Sequence, residues 1–202
     1  MKKFLSFIWE ISKLTIIALL IVVPIRYYVF QPFIVKGQSM EPNFENGDYL
    51  IVDELSYHLR APQRGEVIVF KYPLDPSQRY IKRIIGLPGE TVEIRDGKIV
   101  IYRASKGGEG KDEDGAFIAY GENSEVKTLD ELTYLPSFTQ TEGNIRTTLN
   151  KNEYFVLGDN RLGMSSYDSR RWGSLPQGNI IGRVVIRAWP VDAIAKIEAP
   201  AY

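Results

Sequence analysis

The sequence predicts a mainly β protein carrying one long N-terminal helix. Residues 4–30 form a single apolar run, FLSFIWEISKLTIIALLIVVPIRYYVF. After Gln31 the helical period gives way to short apolar runs split by Gly, Pro and Asp, the pattern of strands joined by turns. Asp96-Gly97, between two of these runs, is a strong hairpin signal.

The N-terminal run reads as a membrane anchor. A helix needs roughly 20 mostly apolar residues to cross a bilayer core, and Ile11 to Phe30 supplies that length. Lys13 and Arg26 fall near its ends, where long basic side chains reach lipid headgroups, and Tyr27 and Tyr28 suit an interfacial aromatic belt. Pro24 lies near the helix exit, where a lost hydrogen bond matters least. Residues 1–26 carry a net charge of +3 and the remaining chain −3. Lys2 and Lys3 bias the N-terminus to the cytoplasm, which puts the body outside it. A cleaved leader calls for an Ala-x-Ala-like site, but the chain continues PIRYYVFQPFIV. A buried core helix of this length calls for a polar face, which is lacking. The reading is a single-pass cell-membrane protein with its tip and anchor at 1–30, the bilayer as partner, and an extracytoplasmic body at 31–202.

Within the body, FIVKG (33–37), YLIVDEL (49–55), EVIVFKY (66–72), YIKRIIG (80–86), TVEI (91–94) and KIVIY (98–102) read as strands. EYFVLGD (153–159) and IIGRVVIRAWP (180–190) supply later ones. Residues 103–151, with SKGGEGKDEDG and further polar stretches, show no sustained period and read as an insertion or subdomain on the surface, part ordered and part mobile.

Composition narrows the chemistry. The 25 Lys+Arg balance 25 Asp+Glu, which argues against a nucleic-acid partner. The absence of cysteine removes thiol nucleophiles, thiolate zinc sites, iron–sulfur clusters and disulfides. One histidine, His58, rules out metal sites built on two imidazoles and leaves only itself for a Ser-His-Asp triad. An enzymatic base is therefore expected to be a carboxylate or a lysine.

Three segments concentrate reactive groups. In GQSMEP (37–42), Ser39 follows an apolar strand where the chain turns, beside backbone N–H groups able to face an oxyanion; the same composition also makes an ordinary turn. In YIKRIIGLPGE (80–90), strand alternation sets Lys82 on the face opposite Ile81 and Arg83. If desolvated, its amine can lose a proton near neutral pH and act as a base; if solvated, it is an ordinary surface lysine. LGDNRLGMSSYDSRRWGSLP (157–176) is a structured loop whose Asp159, Arg161, Asp168 and Arg170 can pair, either to orient a lysine or to brace a turn.

In this order after an N-terminal anchor, GQSMEP, YIKRIIGLPGE and GDNR…SYDSRRWG resemble the type I signal peptidases, membrane-bound serine proteases that remove signal peptides from exported proteins. The likeness spans 31–102 and 153–190. It implies an antiparallel-β catalytic domain of the signal-peptidase type, cleavage after small residues (Ala-x-Ala) through an acyl-enzyme, and no metal or cofactor. By position, Ser39 resembles the nucleophile and Lys82 the general base. Ser166 resembles the serine that hydrogen-bonds the lysine, with Ser165 adjacent, and Asp168 and Arg170 resemble the ion pair bracing that loop. The Ser39 N–H and a backbone donor at Gly37 resemble the oxyanion hole. Phe33, Val35, Met40, Leu50, Val69, Tyr80 and Ile81 resemble the lining of the substrate pockets, with 33–37 and 80–82 as the walls between which the signal peptide lies extended. The chain departs from the family pattern in Asn43, where threonine is common, and in the LGMS spacer between GDNR and SYDSR. It also has a single membrane segment, where many relatives have two. Two rival classes share the scaffold: other Ser–Lys peptidases (self-cleaving repressors, pilin or conjugation-factor processors) and a catalytically silent anchored binding module.

Overall fold

The computed structural model describes residues 2–28, 30–103, 125–137 and 139–200. The first helix, α1 (Lys2–Tyr28), leads into β1 (Phe30–Ile34) and β2 (Tyr49–Asp53). After the short α2 (Ser56–Leu59) come β3 (Val67–Tyr72), β4 (Asp75–Gly86), β5 (Glu90–Arg95) and β6 (Lys98–Arg103). Then follow β7 (Glu125–Thr128), β8 (Ile145–Thr148), β9 (Glu153–Leu157), the one-turn α3 (Ser169–Trp172), β10 (Leu175–Pro176), β11 (Ile180–Trp189) and β12 (Ala195–Lys196). The mainly β expectation holds, with every strand pair antiparallel. Side chains of α1 are described at 4 and 7–20, and all are exposed. Among the described residues, no helix is long and apolar enough to cross a membrane.

Two sheets divide the body. The larger runs β1-β2-β11-β3-β4-β9-β10 with β12 on β11, and the smaller runs β7-β6-β5-β8. Period-two patterning fills both faces of the larger sheet. On β3, Val67 and Val69 enter one core cluster with Val35, Met40, Leu50 and Ile81, while Ile68 and Phe70 enter another with Ile84 and Val156. A third cluster, of Ile85, Val92, Ile94, Ile99, Leu129, Leu149 and Phe155, welds the smaller sheet to the larger.

One expectation changes: the first strand sits three residues earlier than its apolar run suggested. Beyond Ile34 the chain turns: the Val35 N–H reaches the Asp48 carbonyl at 2.9 Å, and Gly37 adopts φ +87°, a conformation that favours glycine. Pro32 is tolerated because β1 is an edge strand. The segment 103–151 was expected as a surface insertion or subdomain, part ordered and part mobile. Within it, 125–128 and 145–148 pair with β6 and β5, and Leu129, Glu131, Thr141 and Leu149 are buried. Their short strands carry too little periodicity to stand out in the sequence. Residues 104–124 lie outside the described residues.

Candidate active site

A cleft of about 410 Å³ opens between β1 and the first half of β4, lined by Phe33, Gly37, Ser39, Tyr80, Ile81 and Lys82 among others. Ser39 arrives on the turn that ends the first extended segment. Lys82 arrives on β4, directly opposite Ile68 of β3, on the face it shares with Tyr80 and Ile84. The two meet across 43 residues of sequence: Lys82 Nζ lies 2.6 Å from Ser39 Oγ and donates to the Ile81 carbonyl at 2.8 Å.

Lys82 is 4 % exposed. Removal from water disfavours its charged form and holds the amine down at about 8; the attraction of Asp168 and Asp159 opposes this, and Arg170 reinforces it. The Tyr80 ring lies 5.9 Å from Nζ and covers it further. A buried amine that is neutral in mildly basic solution, 2.6 Å from a hydroxyl, can take up that hydroxyl's proton.

The loop between β9 and β10 frames the amine. Asp168 is fully buried; burial pushes its carboxyl up, but Arg170 outweighs this with two bonds of 2.9 Å and holds it below the usual carboxylate range. Asp168 also accepts from the Gly158 N–H at 3.1 Å. Asp159 makes a buried two-pronged pair with Arg83, at 2.8 and 2.5 Å, beside Lys82 in sequence. Asn43 donates to Asp159 at 2.8 Å, so the residue standing where threonine is common joins the Ser39 turn to this pair. Arg161, 1 % exposed, reaches into the smaller-sheet segment, pairing with Glu131 and donating to Thr141 and the Tyr134 hydroxyl.

Other sequence candidates fall in different places. Ser166 is buried, yet its Oγ has no hydrogen-bond partner among the described residues; Lys82 Nζ bonds Ser39 Oγ and the Ile81 carbonyl instead. Ser165 is exposed and lines the cleft. The Gly37 N–H is not a free donor: it is held by the Asn46 side chain at 2.9 Å, an acceptor that the motif alone could not reveal. Phe33, Tyr80 and Ile81 line the cleft. Leu50 and Val69 stand opposite Phe33 and Ile81 in the sheet, on the same face, and with Val35 and Met40 they are buried in the core cluster that Phe33 packs against and Ile81 belongs to.

Sequence reasoning also passed over Gly158. A β-carbon there would overlap Ser166 Oγ and the Ser39 carbonyl oxygen. Gly158→Ala is therefore expected to lower kcat/KM by about 10²-fold through displacement of the site, and to lower the melting temperature as well, because one of the displaced atoms is backbone. Near-normal kcat/KM in this variant would show that the contact does not matter.

A family model described as signal peptidase, peptidase S26, matches residues 8–189. The chain is 36% identical to a probable signal peptidase I-1 of Synechocystis sp., over 93% of this chain and 85% of the relative. It is 34% identical to a signal peptidase I of Leptolyngbya laminosa, over 87% and 77%, and 35% identical to one of Bacillus caldolyticus, over 89% and 90%. With a match of that extent, the chain belongs to the signal peptidase family, peptidase S26, serine endopeptidases that cleave signal peptides.

Proposed function

We propose that the chain removes signal peptides from exported preproteins by a Ser39 nucleophile and a Lys82 general base. The single observation that carries this reading is the buried amine 2.6 Å from Ser39 Oγ. Neutral Lys82 takes the Ser39 proton as Oγ attacks the scissile carbonyl. The Ser39 N–H faces the developing oxyanion, and the Lys82 ammonium then returns its proton to the leaving amine. Water hydrolyses the acyl-enzyme, activated by the same amine. Serine and lysine account for every proton moved. Asp168 and Arg170 hold the loop around the amine, with Ser166 packed behind it.

The substrate lies extended between β1 and the free edge of β4. β9 pairs with β4 only from Arg83 onward, so residues 79–82 keep that edge open for an added strand. Phe33, Tyr80 and Ile81 crowd the space beside Ser39, which favours small side chains at the first and third positions before the cut. The anchor reading rests on α1: its 27 residues span about 40 Å at 1.5 Å each, and Phe4, Phe7, Trp9, Leu14, Ile17 and Leu20 are all exposed. Apolar exposure around a whole helix calls for lipid. With the basic N-terminus in the cytoplasm, the body stands outside the cell membrane beside the exit of its substrates.

The test is preprotein cleavage against pH. Lys82 acts when neutral, so kcat/KM should rise through about pH 8 and level off above it. A flat profile from pH 6 to 9 would remove the titrating lysine from the mechanism.

A further inference from the structure

The oxyanion donors are the least settled part of the site, because the Gly37 N–H is already committed to Asn46. What remains at this turn is the Ser39 N–H, and its aim depends on one peptide plane. Asn160 grips the turn on both sides of Ser39. Its side-chain amide donates to the Gln38 carbonyl at 3.1 Å, and its backbone N–H donates to the Ser39 carbonyl at 3.1 Å.

We propose that Asn160 is a positioning residue for the oxyanion: by holding the Gln38 carbonyl it fixes the direction and strengthens the polarity of the Ser39 N–H. The inference rests on the Ser39–Lys82 reading above. The physical basis is peptide geometry. In a trans peptide group the carbonyl and the following N–H point in opposite directions within one rigid plane. The 38–39 bond is not among the cis peptides, which are Glu41-Pro42 and Trp189-Pro190. A donor fixed on the Gln38 oxygen therefore fixes the Ser39 N–H on the opposite side. Accepting a hydrogen bond at the carbonyl also polarises the group and makes the N–H a better donor, as in hydrogen-bonded chains. The second bond, to the Ser39 carbonyl, stops the next peptide from swinging.

The anchorage of Asn160 is rigid. Its neighbours Asp159 and Arg161 are both 1 % exposed and locked in ion pairs with Arg83 and Glu131. The pair to Arg83 ties the same tetrapeptide to the strand that carries Lys82. One short turn thus sets the base through Asp159 and the oxyanion donor through Asn160.

The experiment uses the full chain in detergent micelles, a preprotein substrate, and a peptide aldehyde ending in alanine, which forms a tetrahedral adduct with a serine hydroxyl. Asn160→Ala removes the side-chain donor and keeps the backbone one. Asn160→Asp keeps the shape and sets an acceptor against the Gln38 carbonyl. For Asn160→Ala, kcat should fall about 10–100-fold, less than the 10²–10³ expected for outright loss of a donor. KM and the melting temperature should hold, and the rise near pH 8 should not move. Aldehyde affinity should fall by the same factor as kcat, because only the tetrahedral state uses the aligned N–H. Asn160→Asp should be at least as slow. A kcat within threefold of the wild type in both variants would overturn the proposal while leaving the dyad intact. A fall in kcat with an equal loss of thermal stability, or with unchanged aldehyde affinity, would also overturn it, by marking a purely structural role. Cleavage by Ser39→Ala, run alongside, would instead overturn the dyad reading itself.

Discussion

Ser39→Ala is expected to abolish preprotein cleavage, with kcat down by about 10⁴-fold or more and the fold unchanged. Among the described residues, the Ser39 hydroxyl and the Ile81 carbonyl, which cannot attack, are the groups that bond the buried amine. Deleting the hydroxyl removes the acyl-enzyme route altogether, whereas weakening a donor only raises one barrier. Structural cost is small, because Ser39 is only partly buried and its side chain packs no core cluster. The check is release of mature product from a labelled preprotein by full-length protein in detergent. Turnover retained in Ser39→Ala would end the assignment of this serine.

The second large effect has two signs. Lys82→Met should be as inactive as Ser39→Ala, yet more stable than the wild type at pH 7. The amine titrates near 8 in the folded chain against 10.5 in an ordinary lysine. Below pH 8 it is therefore charged in a site that disfavours charge, and this costs the fold about 3 kcal/mol relative to strongly basic solution. The sign follows from proton counts. Between about pH 8 and 10.5 the unfolded chain holds the proton that the folded chain has released, so wild-type stability rises with pH across that window. Methionine fills a similar volume without charge and forgoes the hydrogen bond to Ser39, worth about 1 kcal/mol. A net gain of about 1–3 kcal/mol at pH 7, shrinking toward pH 10.5, is the expected outcome in melts at the two pH values. A variant less stable than the wild type at both would mean that burial of Lys82 carries no cost. The expected gain would make the site an instance of stability given up for function.

The motifs pointed to Ser39 and Lys82 because a strand-ending turn and strand alternation are local; the distance between them depends on the sheet order that runs from β1 through β2, β11 and β3 to β4, which no local pattern carries. Burial depth was equally hidden: Leu50 and Val69 share a face with Phe33 and Ile81 yet are buried in the core, with Val35 and Met40. Asn46 on Gly37 and Asn160 on Gln38 were hidden, since polar side chains that cap backbone groups leave no periodic trace. Residues 125–151 were read only as part of an insertion or subdomain, without their strands, because four-residue strands carry almost no pattern. What identifies them as framework is Arg161, whose ion-pair partner, Glu131, lies 30 residues upstream.

The sequence separations in the site also fix when it can exist. Ser39 meets Lys82 across 43 residues, Asn43 meets Asp159 across 116, and Arg187 of β11 holds the Asn43 carbonyl across 144. During synthesis the nucleophile emerges long before the loop that braces its base, and the strand that pins its turn emerges later still. A nascent chain that has not yet delivered Arg187 carries Ser39 without its finished surroundings, so the contacts around this turn are completed only as the last long strand closes.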